Sequence, residues 1–385
     1  MKNKILLIGL ISLLLSACSG KEEDEDSGNI EQAQLLEIDG FLPDMPVAMT
    51  NNAVAVLSVN GITEVYSFLG LQEGKTWQDT STAAFRLRLG ARGFEGAKWT
   101  RIRDLPVPQG RLASVAVAVK GKVYIFGGYS VAEDSSEVSQ PEVFSFDPLT
   151  IKYHRLSDIP VPSDDAVAMV YADRYVYLVS GWHDNDNIDN VQVYDTLHDT
   201  WSQATAFPGS PVFGHAGGIV GNTMIICDGV KVNYLQTVEE VAEGEKRKRE
   251  FVMSDECYQG LIDTNDPNRI AWTSIPSHAG PAGYRMASTG ESVSNKVFFI
   301  GGTDNPYNYN GIGYNQEPSS PMHRPFAYNT DTGEWEYFQE LAQATMDHRS
   351  LLLVNGVFAT IGGMDEQRNV TGKTSLYSYP FIDYD

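Results

Sequence analysis

A short apolar strand that closes on glycine recurs along this chain, and its recurrence restricts the fold more than any compositional figure. Three copies end in a glycine pair, at Gly127-Gly128, Gly301-Gly302 and Gly362-Gly363. Three degenerate copies end at Leu69-Gly70, Ser180-Gly181 and Asp228-Gly229. The five intervals between Gly70 and Gly363 give a mean period of about 59 residues. The clearest copy, VAVAVKGKVYIF over 115–126, alternates on both sides of Lys120-Gly121 and predicts a β-hairpin. A second mark follows each copy: a strand ending in Asp or Asn, then an aromatic. Asp147 precedes Tyr153, Asp195 precedes Trp201 and Asn329 precedes Trp335 by six residues, with three residues more between Asp263 and Trp272. Trp99 marks the first unit, which lacks the acid. No segment holds a 3.6-residue apolar period for long. A unit this small cannot bury both faces of its sheet alone, so the six must stack on one another.

These residues resemble the kelch family of β-propellers, over about residues 33 to 380. The resemblance implies an all-β, six-bladed kelch-type β-propeller occupying residues 33–385. In such a ring the glycine pair admits a close neighbouring backbone, and the late aromatic fills the gap between blades. The last unit ends in a third strand without its fourth. Gln34 to Pro43, QLLEIDGFLP, reads as the missing strand, so an N-terminal strand is expected to be added to the last blade and close the ring.

Residues 1–17 read as an address. Lys2 and Lys4 precede the apolar run Ile5 to Leu15, near the length of a signal-peptide core and too short to span a bilayer as a helix. The string Leu15-Ser16-Ala17-Cys18 resembles the lipobox of bacterial lipoproteins, which implies cleavage before Cys18 and lipid attachment to its sulfur. Residues 18–32, with five consecutive acids from Glu22 to Asp26, read as an acidic tether. Lys21 followed by acids also resembles the surface-export signal of Bacteroidetes lipoproteins. The expected location is the outer membrane, on its periplasmic or cell-surface face, with the membrane met through the lipid anchor only.

The net charge of −22 disfavours nucleic acid as a partner. Cys227 and Cys257 remain once Cys18 is lipidated. Counting from the Asp marks sets them opposite one another in one blade, as a possible disulfide or as two buried thiols. The longest insertion, 230–254, contains EEVAEGEKRKRE, read as a short exposed helix whose Lys246 to Arg249 cluster reads as a solvated face before it reads as a contact for a partner.

In kelch propellers, polar residues just before each inner strand converge on the channel mouth. The matching positions supply Arg111, Asp164, Asp165, His215, Arg285, His348 and Arg349, and the loops after the glycines add Tyr129, Trp182, His183, Asp304 and Tyr307. Arginine donates bidentately to carboxylates and aromatic faces stack on rings, so the set suits a carboxylated or hydroxyl-rich ligand, a carbohydrate or a protein. A monomer is expected. Six blades, a signal sequence and the loop Asn305 to Pro321, NPYNYNGIGYNQEPSSP, are also similar to the sialic acid mutarotase (N-acetylneuraminate epimerase) family. That resemblance implies an alternative: a cofactor-independent mutarotase or epimerase of sialic acid or a related sugar, with Asp165, Arg285 and Arg349 as catalytic residues and no metal. No catalytic glutamate of that family can be placed here. The cysteines do not suit the copper site of galactose oxidase. His183 to Asn187, HDNDN, lacks the glycine and terminal glutamate of a calcium loop and reads as an acidic turn.

Overall fold

The computed structural model describes residues 34–38, 40–90, 93–241, 245 and 247–379. The segments read above as a signal peptide and an acidic tether, with Cys18, and also Lys246, lie outside the described residues. Six four-stranded antiparallel sheets form the blades of a propeller. Blade 1 comprises Ala53–Val59, Ile62–Phe68, Ala84–Gly90 and Gly93–Ile102. The first strands of the other blades are Val115–Val119, Val167–Tyr171, Ala216–Val220, Ala287–Glu291 and Leu352–Val354. Residues of all six first strands line a central channel of about 340 Å³. The expected closure is present. Leu36–Ile38 pairs antiparallel with the third strand of blade 6, Leu36 opposite Ser378 and Ile38 opposite Leu376.

Each sequence mark has a physical job. Lys120 and Gly121 both take positive φ (46° and 74°), as the tight hairpin turn requires. A Cβ on Gly127 would stand 2.6 Å from the Ser163 carbonyl oxygen of the next blade's entry segment, and on Gly362 2.1 Å from that of Met49. The first glycine of the pair is therefore where adjacent blades touch. The degenerate copies, at Leu69, Ser180 and Asp228, hold the same left-handed backbone, and in two of them the side chain bonds instead. Ser180 Oγ accepts the Val212 N–H at 2.9 Å, and Asp228 Oδ2 accepts the Gly283 N–H at 2.7 Å.

The acid at the end of the third strand caps the turn into the fourth. Asp147 Oδ1 accepts the Leu149 N–H at 2.9 Å, and Asn329 Oδ1 accepts the Asp331 N–H at 2.9 Å. The aromatic then pins its blade to the one before. Trp201 Nε1 donates to the Ser157 carbonyl at 3.0 Å, Trp272 to Thr205 at 3.2 Å and Trp335 to Pro276 at 2.8 Å, while Tyr153 Oη donates to Arg103 at 2.8 Å. Trp99 donates to Pro43 at 2.8 Å, just past the closing strand, so the same pin carries blade 1 onto blade 6. Between blades lie separate apolar cores, such as Tyr66, Phe68, Ile125 and Phe146 between blades 1 and 2.

Cys227 and Cys257 form a disulfide between register partners of blade 4. The insertion of blade 4 departs from its expected helix. Val230–Tyr234 pairs with Arg249–Met253 as a β-hairpin, with a single 3-10 turn, Val238–Glu240, as the helical element among its described residues. The basic run is not simply solvated, because aromatic faces receive it. The Arg247 guanidinium lies 3.7 Å from the Tyr234 ring centroid, and that of Arg249 lies 4.9 Å from Trp182 and 5.2 Å from Phe251.

Candidate functional site

The channel mouth is assembled by one device repeated in each blade. The residue two before each first-strand turn-in bridges the residue after the glycine position. The pairs are Thr50 with Leu71, Leu112 with Tyr129, Asp164 with Trp182, Phe213 with Val230, Tyr284 with Thr303 and Met346 with Met364. The next residue is left-handed in every blade: Asn51, Ala113, Asp165, Gly214, Arg285 and Asp347, with φ between 52° and 73°. These six residues tie the mouth into a ring. Asn51 N–H donates to the Asp347 carbonyl, Asp165 to Ala113, Gly214 to Asp165, Arg285 to Gly214, and the His348 N–H to Arg285. Between Ala113 and Asn51 the acceptor is the Asn51 side chain.

Three of those positions carry charge, and with Arg349 they span the mouth. Arg285 grips Asp165 with Nε at 3.1 Å and Nη2 at 2.6 Å, and its Nη1 reaches Asp347 Oδ1 at 3.0 Å and the Asn308 carbonyl at 2.8 Å. Arg349 Nη1 bonds Asp165 from the far side. Asp347 also accepts from Thr50 Oγ1 at 2.6 Å and Asn51 Nδ2 at 2.8 Å. No side chain of the four is more than 3% exposed. Burial alone would raise the Asp165 pKa, but Arg285 and Arg349 outweigh it and hold the carboxyl below its usual range.

Above this network sits a cavity of about 180 Å³, lined by Tyr129, Glu137, Asp164, Asp165, Trp182, Phe213, Arg249, Phe251, Arg285, Asn308 and Tyr314. Two insertions roof it, since Phe251 of the blade 4 hairpin stacks on Tyr314 of the blade 5 loop at 4.1 Å. Asn308, from the same loop, donates to Glu137 Oε1 at 2.7 Å and accepts from Tyr129 Oη at 3.3 Å. Asp164 is 2% exposed and takes one hydrogen bond, from Ser139 Oγ at 2.6 Å. Burial, joined by the Asp165 charge, pushes the Asp164 carboxyl well above its usual range, and burial raises Glu137 as well. Among the described residues neither carboxylate has a cation within ion-pair distance.

The structure sorts the sequence-selected residues. Asp164, Asp165, Trp182, Arg285 and Tyr129 line the cavity, and Arg349 stands behind it. Arg111 does not join them. It precedes the bridging Leu112 in an extended segment, so its side chain turns the other way and pairs with Glu142 at 2.6 Å. His215 and His348 follow the left-handed residue and turn inward beneath the mouth, where burial drops both imidazoles to about 4. His348 Nε2 meets Thr345 Oγ1 at 2.8 Å. Tyr307 is buried edge-on to Tyr284, and the His183 side chain is 36% exposed beside Asp184. Asp304 faces a separate cavity of about 570 Å³ beside His278, Arg324 and Tyr337. Residues 183–187 form the tight turn of a two-stranded hairpin, with His183 opposite Asp186. Among the described residues no group of three His, Cys, Asp or Glu is placed to hold a metal.

Asp347, Glu137, Phe213, Arg249, Phe251, Asn308 and Tyr314 were not anticipated. Aligning the six turn-ins would have exposed Asp347 as the blade 6 counterpart of Asp165. Phe213 sits at the bridging position of blade 4, where the repeat fixes the place but not the residue type, and the others arrive on insertions of variable length, where the repeat offers no register.

The Kelch motif matches residues 166–208, which cover blade 3. The chain is 27% identical over 172 residues to Kelch-like protein 15 of Gallus gallus, covering 42% of this chain and 34% of that protein. It is 25% identical over 206 residues to Kelch domain-containing protein 3 of Bos taurus, covering 50% of this chain and 48% of that one. The matches thus span less than half the length of these relatives. The solved structure of YjhT superposes with a TM-score of 0.67 at 17% identity, covering 88% of this chain and 97% of that one, and shares its fold.

Proposed function

We propose that this chain is a membrane-anchored, extracytoplasmic binding propeller that captures one sugar unit of a carbohydrate in the mouth pocket. The observation that carries this reading is the make-up of the cavity: five aromatic side chains, Tyr129, Trp182, Phe213, Phe251 and Tyr314, around Asp164, Glu137 and Asn308. Flat apolar faces and a few fixed hydrogen-bonding groups are what a sugar ring requires. At about 180 Å³ the pocket is below the ~300 Å³ lower end for drug-sized ligands, which suits a single ring. The anchor rests on the sequence around Cys18. Ligand-observed NMR against a panel of monosaccharides tests the pocket. A binder whose signal falls at least tenfold in affinity for Trp182→Ala supports it, and a panel with no binder, or a binder indifferent to Trp182, removes it.

One observation favours the second reading, a sugar mutarotase. Asp164 and Glu137 are held above the ordinary carboxyl range beside the cavity, the condition a general acid or base needs near neutral pH. Asp165, Arg285 and Arg349, the residues implied by resemblance, are consumed by one another and suit positioning better than proton transfer. Anomer-exchange NMR with N-acetylneuraminate and neutral sugars decides it. Acceleration lost in Asp164→Asn supports catalysis, and exchange at the buffer rate with saturating protein ends it.

A further inference from the structure

The mouth pocket is unbalanced in charge, and the imbalance bears on what it can hold. Its two arginines serve different ends. Arg285 spends its donors on Asp165, Asp347 and the Asn308 carbonyl. Arg249 bonds the Asn185 carbonyl at the pocket edge, its guanidinium over Trp182 and Phe251. Asp164 and Glu137 stay behind, beside the cavity, without an ion-pair partner among the described residues. An incoming carboxylate would meet Asp164, Asp165 and Glu137. An incoming cation would neutralise carboxylates already stripped of water and lie against aromatic faces, where cation–π contacts strengthen as water is excluded. Arg249 shows that these same faces accept a cation, since the chain's own guanidinium rests on two of them. The −22 net charge adds long-range attraction for a positive ligand.

We infer that the mouth pocket selects a ligand whose recognised end bears an ammonium group, seated between the Trp182 and Phe251 faces and the Asp164 and Glu137 carboxylates, with Arg249 as the internal competitor at the entrance. The inference rests on reading the mouth pocket as a ligand site. The ammonium could be carried by an amino sugar or by a lysine side chain, and the two call for the same chemistry.

Calorimetric or NMR titration with glucosamine, N-acetylglucosamine, glucose, N-acetylneuraminate and Nα-acetyl-lysine methylamide tests it on the folded chain. Glucosamine or the lysine derivative is expected to bind at least tenfold more tightly than N-acetylglucosamine and glucose, and the tighter of the two names the source. Asp164→Asn and Glu137→Gln should each weaken that binding about tenfold, whereas Arg249→Ala should strengthen it. The Arg249 variant separates the alternatives, because a site for anions would lose its ligand in it. Equal binding of glucosamine and N-acetylglucosamine, or binding of N-acetylneuraminate that Arg249→Ala abolishes, overturns the ammonium and leaves the sugar pocket standing. No binding by any of the five, with Trp182→Ala unchanged in every titration, overturns both. Asn and Gln keep the acceptor oxygens bonded to Ser139 and Asn308, and unchanged thermal unfolding cooperativity reports that the variants fold.

Discussion

At the scale of single residues, two adjacent aspartates with opposite environments define the mouth. Asp165 is clamped between arginines, and removing one of those partners strands a buried charge at a cost of about 3–5 kcal/mol. Arg285→Met should lower unfolding free energy in urea by that amount, and a loss below 1 kcal/mol would mean that the network relaxes. Asp164 behaves in the reverse sense. Its folded pKa lies above the unfolded value near 3.9, so its contribution is fully present below that value and is lost as pH rises through the folded one. Asp164→Asn should therefore stabilise the protein at pH 7, on the order of 1 kcal/mol, with the gain fading towards pH 4 in thermal melts. A destabilised variant at neutral pH would show that the carboxylate is paired. Asp164, Asp165 and Arg285 were legible in the sequence because the repeat fixes their register. Arg111, His215 and His348 were misplaced by one residue of alternation or rotation. Arg249 was misjudged because nothing in a run of Lys and Arg reveals the aromatic face waiting for it.

At the scale of strands, the repeat was legible because each of its marks answers a local geometric demand. The glycine marks contact with the next blade, the acid caps a turn, and the aromatic reaches back to the preceding blade. The pin combines a hydrogen bond worth about 1 kcal/mol with the burial of a large ring. Trp335→Phe keeps most of the burial and leaves the Pro276 carbonyl without its donor, an expected loss of about 1 kcal/mol. Trp335→Ala should cost about 3 kcal/mol or more. Equal losses in the two variants, measured by urea unfolding, would assign the whole effect to the hydrogen bond. The blade 4 insertion was illegible for the converse reason. Its charged sequence has good helix propensity, yet the alternation of Val230, Val232 and Tyr234 finds a partner in Phe251 and Met253, and tertiary pairing overrides propensity.

At the scale of the molecule, closure depends on ten residues at the start of the propeller. A chain lacking residues 34–43 loses the strand on blade 6, the burial of Leu35 and the carbonyl that receives Trp99 and Thr374. It should be less stable by about 3–5 kcal/mol and should self-associate through the uncovered edge of Thr374–Ser378, as read by size-exclusion chromatography. An unaltered elution and an unchanged melt would show that the ring closes without it. The salt-bridge network at the mouth has a further consequence for the whole ring. It stands between the pocket above and the channel below, which share no lining residue. The buried network is thus the floor of the mouth pocket. A molecule held in the proposed pocket would leave past Arg249 and the Phe251–Tyr314 stack rather than through the channel, so those three side chains would set its residence time.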